Sequence, residues 1–69
     1  MEEITVNKTK YIYEIEGVFD TEYALKITLI HRYTYDSGYE GTVIHRGIYP
    51  SRPDEKYIEY LIEQVQKTR

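Results

Sequence analysis

The stretch Tyr23-Ala24-Leu25-Lys26-Ile27-Thr28-Leu29-Ile30-His31-Arg32-Tyr33-Thr34-Tyr35 decides the fold. It is too rich in β-branched and aromatic residues for a helix, and it alternates with period two. In a strand, Tyr23, Leu25, Ile27, Leu29, His31, Tyr33 and Tyr35 point one way, and Ala24, Lys26, Thr28, Ile30, Arg32 and Thr34 the other. The spacing predicts a long central strand with a neighbour on each side.

Both flanks supply one. Lys10 to Phe19 alternates, with Tyr11, Tyr13, Ile15 and Phe19 on one face, and Asp20-Thr21-Glu22 turns the chain into the central strand. At the far end Asp36-Ser37-Gly38 reads as a three-residue hairpin loop whose last position needs positive φ and therefore favours glycine. Tyr39 to Tyr49 returns, and Pro50 ends the strand because proline cannot donate to a ladder. Before these, Glu3-Ile4-Thr5-Val6 predicts a short edge strand followed by a turn at Asn7-Lys8-Thr9.

Two three-residue turns fix a register. Ile15 is expected opposite Ile27, Tyr13 opposite Leu29 and Tyr11 opposite His31, with Tyr35 opposite Tyr39, His31 opposite Val43 and Leu29 opposite His45. All odd-numbered side chains then share one face, where Gly17, Gly41 and Gly47 lower the surface for a helix. Glu16 falls beside Lys26 on the even face. Ile12, Ile30 and Ile44 line up across that face, with Ile4 opposite Ile12 and Val18 and Ile48 nearby.

After Pro50 the period changes. Ser51 and Asp54 resemble a capping box, Pro53 suits a first helical turn, and Tyr57, Ile58, Leu61, Ile62 and Val65 form one apolar stripe. A helix is expected from about Arg52 to Lys67, within ~2 to 4 residues. The fold class is α+β: an antiparallel β-meander of three to four strands with one C-terminal helix packed on the odd face. With 69 residues the chain, 1–69, is expected to form a single domain near the lower size limit for a core without staples.

Composition narrows the setting. The absence of cysteine rules out disulfides and thiolate metal sites and fits a cytoplasmic location. No apolar run approaches the roughly 20 residues of a membrane span, and Met-Glu-Glu lacks the positive region of a signal peptide, so a soluble protein is expected. The net charge of −3 is spread along the chain without a basic block, which makes direct nucleic-acid binding a poor expectation.

Catalytic chemistry has little to stand on. His31 and His45 are expected as diagonal neighbours, but two histidines without further ligands make a poor zinc site, and no carboxylate stands at ligand spacing. Ser37 and Ser51 occupy turn and cap positions, and Gly38-Tyr39-Glu40-Gly41 lacks the lysine and helix of a phosphate loop. The chain reads as a non-enzyme with no catalytic residue, metal or cofactor.

What remains is surface. Nine tyrosines against one phenylalanine and no tryptophan suit both a half-buried sheet and a binding surface. Glu55, Glu59 and Glu63 repeat every four residues as an acidic ridge, with Tyr60 and Lys56 further round. Such like charges cost about 0.2–0.5 kcal/mol per pair, so helix stability does not ask for them. The row Ile12, Ile30 and Ile44 on the face without a helix is a second candidate surface. Three function classes follow: a protein-binding module recognising a basic partner, a nucleic-acid binder stacking bases on Tyr33, Tyr35 and Tyr39, and a homodimer or larger homo-oligomer pairing isoleucine rows through the open sheet face.

In overall build, a tiny cysteine-free acidic chain with a β-meander, one helix and many tyrosines, the protein resembles the small phage-encoded inhibitors: anti-CRISPR proteins and inhibitors of uracil-DNA glycosylase. The resemblance implies an inhibitor acting in the host cytoplasm by occupying the nucleic-acid groove of a host protein, with Glu55, Glu59 and Glu63 as the part that enters it.

Overall fold

The structure is a computed structural model that describes residues 1–36 and 38–68. Four strands, β1 (Glu2–Val6), β2 (Thr9–Val18), β3 (Glu22–Thr34) and β4 (Gly38–Tyr49), form one antiparallel sheet in sequence order, followed by helix α1 (Glu55–Lys67). The α+β meander expected from the sequence is the observed fold.

The first turn is tighter than expected. Val6 pairs with Thr9, so only Asn7 and Lys8 form the loop, both with positive φ (50° and 67°), as in the two-residue type I′ hairpin whose twist matches the strands. Ile4 therefore lies opposite Tyr11, not Ile12, and is buried in the core. The second turn is one residue earlier than expected. Val18 pairs with Glu22, leaving Phe19-Asp20-Thr21 as the loop; Phe19 adopts φ 59° and is 87% exposed, not packed on the odd face. The loop length stays odd, so the face assignment survives while the pairing slides by two: Tyr11 meets Leu29, Tyr13 meets Ile27 and Ile15 meets Leu25. Glu14, rather than Glu16, consequently pairs with Lys26, at 3.0 Å. The third connection also comes earlier than expected: Tyr39 pairs with Tyr33 rather than Tyr35, and Gly38 pairs with Thr34 as the first residue of β4, keeping the positive φ (87°) expected of it; Ser37 lies outside the described residues.

Two bulges between β3 and β4 change the faces. Ile27 pairs with His45 but Thr28 with Val43, so Ile44 is the extra residue of β4; Ile30 pairs with Gly41 but Arg32 with Glu40, so His31 is the extra residue of β3. Each extra residue reverses the alternation of its strand from that point on. Tyr33 and Tyr39 thereby move to the open face and Arg32 and Glu40 to the helix side, where they form a bidentate pair at 2.9 and 3.0 Å.

The helix begins later than expected. Asp54 is itself the N-cap, its carboxylate accepting from the Tyr57 N–H at 2.8 Å, with Pro53 buried just before it and Glu55 as the first helical residue. Pro53 holds Arg52 away from helical geometry, which pushes the start past it. Ile58 and Ile62 are fully buried against Leu25 and Ile27, with Ile4, Val6 and Tyr11 completing the core. Each such side chain contributes about 1.5–3 kcal/mol by leaving water. At the helix C-terminal end Gln66 Nε2 donates to the Val6 carbonyl at 3.1 Å and the Tyr11 hydroxyl at 2.9 Å, and Gln66 Oε1 accepts from Asn7 Nδ2 at 2.7 Å. At the other end Tyr57 meets Tyr49 of β4, so α1 crosses the sheet diagonally.

The glycines on the sheet act differently from expectation. A Cβ on Gly17 would meet nothing, while one on Gly41 would run into the Leu29 carbonyl oxygen. At Gly47 a Cβ would sit 3.0 Å from the Tyr49 ring and 3.1 Å from His45 Nε2. Gly47 makes room for those two neighbours to close over it, not for the helix.

Candidate partner-binding surfaces

Three surfaces carry the candidate residues. On the helix, Glu55 and Glu59 are exposed and Glu63 is half-buried, and at four-residue spacing they share one flank. Among the described residues none of the three takes part in an ion pair. Glu2 at the β1 edge borders the same flank: burial, then Glu55, then Glu2 raise the Tyr13 pKa above its ordinary value, with Arg52 opposing.

Round the helix from the carboxylates, toward β4, lies a chain of rings. Tyr57 and Tyr60 stack with centroids 6.3 Å apart, Tyr49 meets Tyr57 edge-on at 5.7 Å, and the Tyr49 hydroxyl and His45 Nε2 are hydrogen-bonded at 2.7 Å. Tyr60 is 55% exposed. Burial, reinforced by the neighbouring Tyr57 hydroxyl, raises the Tyr49 pKa. A cleft of about 290 Å3 lined by Tyr49, Pro50, Arg52, Pro53 and Tyr57 opens next to it. Tyr60 was legible as a surface residue in the sequence; Tyr49 and Tyr57 were not, because they read as strand end and apolar stripe.

The isoleucine row does not form. Ile12 lies opposite Thr28 and is only 8% exposed, Ile30 lies opposite Gly41, and Ile44 packs from its bulge against the helix-side core. The row that crosses the open face is instead Glu3, Ile12, Thr28 and Val43. Below it run Glu14, Lys26 and Arg46, then Glu16, Ala24 and Ile48, around a depression of about 480 Å3. Tyr33 and Tyr39 share this face with Lys10, Lys26 and Arg46, but so do Glu3, Glu14, Glu16 and Glu22, which cancels the positive field that a phosphate backbone needs.

The histidines are not neighbours. His31, in its bulge, bonds the Thr42 hydroxyl at 2.7 Å, while His45 sits opposite Ile27 and bonds Tyr49. Among the described residues no three His, Cys, Asp or Glu side chains gather as a metal site, and no helix is long and apolar enough to cross a membrane. No protein-family model, curated protein or solved structure matches the chain.

Proposed function

We propose that the chain is a non-enzymatic protein-binding module whose helix surface occupies a basic site on its partner, as an inhibitor of a nucleic-acid-processing protein would. The observation that carries this reading is the unpaired acidic flank of α1, bordered at Glu63 by the exposed Tyr60. Three carboxylates left without cations cost helix stability, whereas a basic partner supplies the missing cations. Tyr57 and Tyr60 add large rings with few rotatable bonds, the residue type enriched at interface centres. Attraction between such surfaces raises the association rate and weakens with salt.

The test compares capture of proteins from lysate by the wild-type chain, by Glu59→Lys/Glu63→Lys and by Tyr60→Ala, at low and high salt, alongside binding to single- and double-stranded oligonucleotides. A basic protein lost with either variant and with salt supports the reading. Tight oligonucleotide binding by the chain itself overturns it.

A further inference from the structure

On the opposite side of the molecule from the acidic flank, the open sheet face carries opposite charges in a self-complementary arrangement. We propose that this face pairs with the same face of a second copy of the chain, across a two-fold axis that sets Glu16 of each copy against Arg46 of the other. This reading is independent of the helix surface, which stays exposed on both outer sides of the pair.

Most polar groups of the face are satisfied within the chain. Glu14 and Lys26 are 3.0 Å apart, Tyr33 bonds Glu3, and Lys10 Nζ lies 5.6 Å from the centre of the Tyr33 ring. Glu16 and Arg46 are different. They flank the same depression from β2 and β4, on either side of Ala24 and next to Ile48, and among the described residues neither has an ion-pair partner. One strand, β3, lies between them, and with a two-residue offset along it their backbones are roughly 12 Å apart.

A two-fold operation on a face with its negative group on one side and its positive group on the other superposes unlike charges twice, and an isologous contact makes both pairings at once. The same operation brings Ile48, 58% exposed, and Ala24 toward the centre, where removal of water is most favourable. Among the described residues no helix or second sheet covers the face: the molecule measures 36 × 31 × 16 Å, and its shortest dimension accommodates only the sheet and one helix layer at about 10 Å spacing. A 36 × 31 Å outline exceeds the roughly 800 Å2 per partner of a standard interface.

The experiment is a charge exchange read by sedimentation equilibrium and by light scattering after size exclusion. Wild type is expected to dimerise with concentration. Glu16→Arg and Arg46→Glu, each alone, place like charges opposite one another twice and should weaken the dimer by about tenfold or more, with unchanged circular dichroism because both side chains are exposed. An equimolar mixture of the two variants restores both unlike pairings, so a heterodimer as tight as the wild-type dimer should reappear. A wild-type chain that stays monomeric at millimolar concentration overturns the proposal, as does a mixture that associates no better than its separate components.

Discussion

The Tyr33 hydroxyl donates to the Glu3 carboxylate, reaching from β3 to β1 across the whole width of β2. The contact exists because the His31 bulge turns Tyr33 onto the open face, and the ring passes over the strand that holds Lys10 and Ile12. Ile12, buried on the face without a helix, has Glu3 and Thr28 as its cross-strand neighbours, and Tyr33 bonds the first of them. Replacing Tyr33 by Phe keeps the ring and loses the hydrogen bond; replacing it by Ala removes the ring beneath Lys10 Nζ as well. Tyr33→Ala should therefore lower the thermal midpoint further than Tyr33→Phe, and equal midpoints would show that the ring adds nothing beyond its hydroxyl.

Alkaline pH should destabilise the fold. The pKa of Tyr33 is raised by its hydrogen bond to Glu3, then by burial and the Glu3 charge, and those of Tyr13 and Tyr49 are raised chiefly by burial. A phenol held above its unfolded value of about 10 favours the folded state fully below that pH and loses the contribution as pH rises through the folded value. Urea midpoints should be flat from neutral pH to about 9 and fall above about 10. Tyr33→Phe should flatten part of that fall.

Gly41 and Gly17 make a matched pair for substitution. A Cβ at Gly41 meets the Leu29 backbone oxygen and lies 2.8 Å from Thr28 Cγ2, while at Gly17 it meets nothing within 4 Å. Gly41→Ala should cost about 1–3 kcal/mol through overpacking between the two bulges. Gly17→Ala should be neutral or stabilise by about 0.5 kcal/mol, since glycine weakens a strand interior. Chemical denaturation of both variants checks the contrast.

Lys8 sits at the second loop position of the first hairpin with φ 67°. Left-handed backbone costs a non-glycine residue about 1–2 kcal/mol, and Asn-Gly is the preferred type I′ pair. Lys8→Gly should raise the thermal midpoint by about 4–8 °C, the shift that roughly 1 kcal/mol gives in a domain of this size. A lowered midpoint would mean that the Lys8 side chain contributes more than its backbone strain removes.

Strand existence and the helix-facing side were legible in the alternation of Leu25, Ile27 and Tyr11, because any odd-length second loop preserves parity. The pairing itself was not, since Phe19 looked like a core strand residue and nothing local shows that it takes a positive φ. The bulges at His31 and Ile44 were equally hidden. They relocate Tyr33, Tyr39 and Ile44 without any glycine at the extra position, and that is why the expected isoleucine row dissolved while Ile30 stayed on the open face. The acidic flank needed only helical spacing to be found, so Glu55, Glu59 and Glu63 lie together as expected. The edge contact between Tyr49 and Tyr57 joins two elements whose relative placement no local pattern encodes.

The proposed use of the helix surface is tested most directly by comparing capture from lysate by the wild-type chain with capture by Glu59→Lys/Glu63→Lys under low salt. Far-UV circular dichroism of the two should coincide, because both side chains lie off the buried stripe of Ile58 and Ile62. The expected result is a basic protein recovered by the wild-type chain and lost or strongly depleted with the double variant. Recovery of the same proteins in the same amounts by both chains contradicts the assignment of partner binding to the acidic flank.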